Sequence, residues 1–155
     1  MRRCIIFAAL AAVAAPAAFP GAAALPGGPA PKHLLGTWRT TLTRADVAKA
    51  ANPAHLPVQR TWELVVVNTR YLTYPRALGL RPAGEGGDTV PFGVRGDKLY
   101  LQCLVAGAPA RGYGTYRWTV TGKTLMLRLV AEPCRERDLR NRITILTSRL
   151  WRKAR

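Results

Sequence analysis

The stretch Leu34-Leu35-Gly36-Thr37-Trp38-Arg39-Thr40-Thr41-Leu42 is the first after an apolar leader to read as a strand. Alternation puts Trp38, Thr40 and Leu42 on one face and Arg39, Thr41 and Thr43 on the other. A large aromatic so early in a strand-rich domain is expected to plug the core. Thr43 is placed to cap a short helix over residues 44–51, with Asp46 in its first turn and Asn52-Pro53 ending it.

Downstream the pattern is β. Residues 60–68 alternate through Trp62, Leu64 and Val66, and residues 71–74 form a short aromatic strand. A glycine-rich loop over 81–88 precedes strands over 89–94 and 98–105, joined by a tight turn at Arg95-Gly96-Asp97-Lys98. That turn spells the tripeptide of adhesion ligands, but a turn favours Gly and Asp on its own account. The clearest hairpin is 115–120 and 124–130 around Thr121-Gly122-Lys123, with Tyr116, Trp118 and Val120 facing one way. Residues 131–141 read as a charged loop containing Cys134, and 142–153 as the last strand. Short strands joined by tight connections predict an all-β fold, an antiparallel up-and-down β-barrel of about eight strands with one short helix after the first.

Three boundaries follow. Residues 1–24 carry Arg2 and Arg3, an apolar alanine-rich run and Ala22-Ala23-Ala24, the order of a secretory signal peptide. Residues 25–33 form a flexible Pro/Gly tether, and 34–155 the barrel domain. The product is expected to be secreted or extracytoplasmic, with no integral membrane segment after cleavage. Cys103 and Cys134 are then the remaining cysteines, and an exported domain would join them in a disulfide worth about 3–4 kcal/mol. No metal is expected, since neither His33 nor His55 has ligand spacing to them.

The charge is +16 for the whole chain; without Arg2 and Arg3, 22 basic face 8 acidic residues, or +14. Such a field concentrates polyanions. The abundance of Ala, Gly, Pro and Arg is also what GC-rich coding produces.

The Gly36-Thr37-Trp38 segment resembles the G-x-W signature of lipocalins and their calycin relatives. The C-terminal GTYRWTVTGKTLMLRLVAEPC and TSRLWRK segments are similar to small exported bacterial lipocalin-like proteins. The resemblance implies structural roles for Gly36 and Trp38, and a basic residue of the last strand, Arg149 or Arg152, packed across Trp38. The lipocalin T-D-Y motif is absent.

No catalytic set or cofactor site emerges. Ser148 lies on an expected strand without a nucleophile elbow, and the carboxylates show no flanking pair. The chain is therefore read as a non-enzymatic binding protein. Trp62, Tyr74, Phe92, Tyr116 and Trp118 are the expected cavity for a small apolar or amphipathic ligand. The alternatives are a basic surface protein holding anionic envelope polymers, or an inhibitor of exported proteases. Nucleic acid is not expected as a partner, because Arg117 faces away from Tyr116 and Trp118.

Overall fold

A computed structural model describes residues 25–56, 60–68, 77–82, 88–103, 112–134 and 137–154. The expected leader and the expected aromatic strand over 71–74, with Tyr74, lie outside the described residues. Eight strands form one closed antiparallel barrel: β1 Gly36–Thr41, β2 Thr61–Val67, β3 Ala77–Pro82, β4 Asp88–Arg95, β5 Lys98–Gln102, β6 Tyr113–Thr121, β7 Thr124–Ala131 and β8 Trp151–Lys153. Each strand pairs with the next in sequence, and β8 returns to pair with β1. The hairpins at Gly96-Asp97 and Gly122-Lys123 are two-residue turns, as their flanking registers Arg95↔Lys98 and Thr121↔Thr124 show.

The apolar alternation of the sequence becomes the inward face. Trp38 from β1, Leu64 and Val66 from β2, Phe92 from β4, Leu99 and Leu101 from β5, Tyr116 from β6 and Leu125 from β7 belong to one buried cluster. Thr43 caps α1, Arg44–Ala48, through a reciprocal capping box with Asp46. A 3-10 turn at Pro53–His55 then leads to β2.

Residues 25–33, expected to be a flexible tether, are instead held against the barrel. Gly28 exchanges backbone hydrogen bonds with Val94 at 2.8 and 2.9 Å, and Ala30 exchanges two with the Asn68 amide at 2.7 Å. Gly93 permits this approach, because a Cβ there would collide with the Pro26 carbonyl.

The last strand is shorter than expected. Residues 142–147, expected as strand, belong to α2, Arg137–Thr147, and only Trp151–Lys153 form β8. Ser148 accordingly sits just beyond the helix, its N–H bonded to the Thr144 carbonyl. The helix wins because it satisfies buried polar groups that a strand would strand. Asn141 clasps the Asn52 backbone in both directions, at 2.9 and 3.0 Å. Arg142, 4% exposed, pairs with Glu132 at 2.9 Å and donates to the Gln102 carbonyl at 3.2 Å.

Glu132 also accepts from the Tyr116 hydroxyl. Burial raises the Tyr116 phenol far above its ordinary value, so it stays protonated and remains a donor. Beside this group the Cys103–Cys134 disulfide joins the end of β5 to the entry of α2, with Cα atoms 5.6 Å apart. The Arg142 guanidinium lies 3.1 Å from Cys134 Sγ.

Replacing Arg142 with Leu leaves the Glu132 carboxylate buried without its cation. We expect a loss of about 3–5 kcal/mol in urea unfolding, of which Glu132→Gln in the same chain should restore a part. Equal stability of Arg142→Leu and wild type would contradict this anchoring role.

Candidate functional site

The interior holds four of the five expected cavity residues. Phe92 and Tyr116 have 0% exposure, so no space as large as a water molecule adjoins them. At their level the barrel is a packed core. Trp62 is buried, and Trp118 is half-buried beneath His33, whose ring centroid lies 5.3 Å away. Neither indole N–H has a hydrogen-bond partner.

Trp38 is fully buried and donates its indole N–H to the Leu34 carbonyl at 2.9 Å. The basic residue across it is Lys153, not Arg149 or Arg152: its Nζ lies 5.0 Å from the ring centroid, a cation–π distance. Gly36 is required by its backbone rather than by space: its φ of +113° favours glycine, while an added Cβ would make only ordinary contact with the Lys153 stem at 3.4 Å. Arg149 instead reaches Asp46 at 2.8 Å and Thr43 Oγ1 at 3.0 Å, while Arg152 lies exposed on the outer face.

Outside the barrel, a charged row crosses four strands in register. Arg152 of β8 stands opposite Arg39 of β1, Arg39 opposite Glu63 of β2, and Glu63 opposite Arg81 of β3. Glu63 accepts from Arg39 at 2.7 and 2.9 Å and from Arg81 at 3.2 Å. The two guanidiniums cover it, so a carboxylate on the outer face is nonetheless buried. The Arg39 hydrogen bonds hold Glu63 below its ordinary range; burial opposes them and Arg81 assists.

Beside this row lies an open groove of about 510 Å³, lined by Arg39, Thr40, Thr41, Thr61, Arg149, Leu150 and Arg152. Thr40 Oγ1 donates to the Leu150 carbonyl at 3.0 Å, and the Thr41 and Thr61 hydroxyls lie 3.3 Å apart. The volume falls within the range of small-molecule sites, about 300–1,000 Å³. Charged donors and hydroxyls of this kind recognise oxyanions. Sequence reading selected Arg149 and Arg152 for another role and passed over Arg39. The available signal was the outward face of β1, Arg39 and Thr41, opposite the Trp38 face.

One further cluster has a structural explanation. Ligand atoms of Cys103, Glu132 and Cys134 lie within 4.8 Å of one another, but both sulfurs are in the disulfide and supply no thiolate. Set against known proteins, the chain matches no family model, no curated protein and no solved structure.

The two paired carboxylates set the acid response. Burial opposes ionisation of Asp46, but hydrogen bonds from Thr43 and Arg149 outweigh it, lowering its pKa from 3.8 to about 2. Glu63 is likewise lowered from 4.5. In the unfolded chain both take up protons first as pH falls. Their contribution is therefore complete above about pH 4.5 and is lost as pH falls toward 2. Urea midpoints measured from pH 7 down to 2 should show this decline. Asp46→Asn and Glu63→Gln should each start lower and fall less steeply.

Proposed function

We propose that this chain is an exported, lipocalin-like binding barrel that engages anionic polymers of the cell envelope through its outer surface. The observation that carries this is the allocation of charge. Each carboxylate whose side chain is described is already paired with arginine: Asp46 with Arg149, Glu63 with Arg39 and Arg81, Asp97 with Arg117, and Glu132 with Arg142. Among the described residues, Arg44, Lys49, Arg95, Lys123, Arg128 and Arg152 are exposed with no carboxylate partner. The net positive charge is thus carried by the solvent-facing shell, where a polyanion meets it.

Support for the lipocalin-like, calycin assignment comes from the closed eight-stranded meander together with Gly36-Thr37-Trp38 at the head of β1 and a cation over Trp38. Export is supported by the disulfide and the leader-like sequence of residues 1–24. No described helix is long and apolar enough to cross a membrane.

A second reading, uptake of a small apolar or amphipathic ligand inside the barrel, draws on the unpartnered indole N–H groups of Trp62 and Trp118. Each is a buried donor that a ligand acceptor would satisfy. Trp62 pairs with Thr40 and Pro82 where β1 and β3 end, whereas Trp118 adjoins the Gly96-Asp97 hairpin at the other end, so such a ligand would reach one indole and not both.

Mature protein on a sulfated-polysaccharide matrix should be retained at 50 mM salt and released steeply by about 200 mM, with affinity falling linearly on log–log axes. An uncharged dextran matrix should not retain it. Retention that ignores salt would exclude the polyanion reading. A reproducible adduct of a few hundred daltons in native mass spectrometry, lost on organic extraction, would favour the interior one.

A further inference from the structure

We infer that the groove beside β1 and β8 is a binding site for a phosphate monoester borne on an apolar body, with Arg152 and Arg39 as its anion clamp. This deepens the polyanion reading and rests on it for the sign of the ligand. The first observation is a mismatch in the barrel wall. Arg152 and Arg39 are direct cross-strand partners on the outer face, and like charges placed so are destabilising. Arg39 is steadied by Glu63, but Arg152 has no carboxylate partner among the described residues. An anion held between the two guanidiniums would complete the row.

The second observation is the chemistry of the groove that opens at that point. Arg39, Arg149 and Arg152 line it with the hydroxyls of Thr41 and Thr61. Among the described residues, the negative groups facing these cations are Glu63, shared by Arg39 and Arg81, and Asp46 beside Arg149. Four arginines against two carboxylates leave two positive charges uncompensated. A phosphate monoester carries about −1.5 to −2 at neutral pH, which matches; a carboxylate or a phosphodiester carries one charge. Two guanidiniums on neighbouring strands and the hydroxyl pair also offer more donors than a carboxylate's two oxygens can use.

The third observation concerns the body of the ligand. Leu150 lines the same groove and is 51% exposed, one of three large apolar side chains so placed among the described residues. An alkyl group attached to the phosphate would cover it, whereas inorganic phosphate would leave it wet.

The test uses full mature protein in low-salt buffer, titrated with butyl phosphate, inorganic phosphate and butyrate. Butyl phosphate should bind at least tenfold more tightly than inorganic phosphate and raise the unfolding temperature, while butyrate does neither. Arg152→Glu should raise the unfolding temperature of ligand-free protein, by giving Arg39 an opposite charge, and abolish the response to butyl phosphate. Arg152→Gln, which only removes the repulsion, should raise the unfolding temperature less than Arg152→Glu and weaken butyl phosphate binding tenfold or more. Leu150→Thr should bring butyl phosphate down to the affinity of inorganic phosphate.

Unchanged butyl phosphate affinity in Arg152→Gln, or equal affinities for butyl phosphate and butyrate, would overturn the site. Equal affinities for butyl and inorganic phosphate would overturn the apolar body and leave a free oxyanion as the ligand. Failure here is separable from failure of the broader reading. Arg152→Gln removes one of many exposed cations, so its salt-dependent retention on a sulfated polysaccharide should persist even where the groove titration fails.

Discussion

Closure of the barrel depends on three residues. A sheet of seven strands would leave the outer edges of β1 and β7 exposed, and β8, Trp151–Lys153, is what joins them. It offers each neighbour only two residue pairs, Thr124 and Leu125 on one side, Trp38 and Arg39 on the other. So short a strand is held by more than its ladder. Trp151 is fully buried and donates to the Leu146 carbonyl at 3.0 Å, which ties β8 to α2. Lys153 donates its N–H to the Lys123 carbonyl and lays its ammonium over Trp38. Thr40 takes hold of Leu150 just before the strand begins.

This arrangement makes α2 part of the wall rather than an ornament on it. The helix stands where a longer last strand would have continued along β7, and its position is set by polar groups that cannot be left unpaired. Glu132 and Arg142 are both removed from water, and each is tolerable there only in the company of the other. The pair therefore specifies where the chain turns from β7 into α2. The disulfide fixes the same corner by a covalent route. Two independent devices at one corner follow from the brevity of β8, since a barrel closed by three residues needs the preceding chain placed accurately.

Much of the fold was legible because alternation was strong where the core is. Trp38, Trp62, Leu64, Val66, Phe92, Leu99 and Leu101 all face inward as their spacing predicts, and the Thr43–Asp46 box starts α1 at the expected residue. The failures have physical causes. Residues 142–147 contain Ile143, Thr144, Ile145 and Thr147, β-branched residues that favour strands, and this local preference hid the helical spacing of Arg142, Ile145 and Leu146. Pairing of Arg142 with Glu132 across the corner, and of Asn141 with the distant Asn52, overrode it. Strand β3 went unread because Gly79 and Pro82 suppress β preference, although neighbours on both sides supply its ladder. The groove was hidden for a different reason. Arg39, Thr61, Arg149 and Leu150 come from separate regions of the chain, and only the closing of the barrel puts them side by side.

The same closure bears on the proposal that recognition takes place on the outside of this core. Interior volume is a matter of which side chains face in, and here Trp38, Phe92, Tyr116 and Trp151 occupy it with no exposed surface between them. A barrel filled in this way gains stability from its interior and has specificity left to place elsewhere. The seam is the natural location. A wall closed by a three-residue strand begins late, and the chain just before it, Arg149 and Leu150, lines the groove together with Arg39, Thr40 and Thr41 of β1. Strand pairing then brings Arg152 against Arg39, a juxtaposition that a stability optimum would avoid and that an anion between them would resolve. Arg117 opposite Arg128 breaks the same rule on β6 and β7; what sets the seam apart is that its like-charge pair lines a groove together with threonine hydroxyls and Leu150.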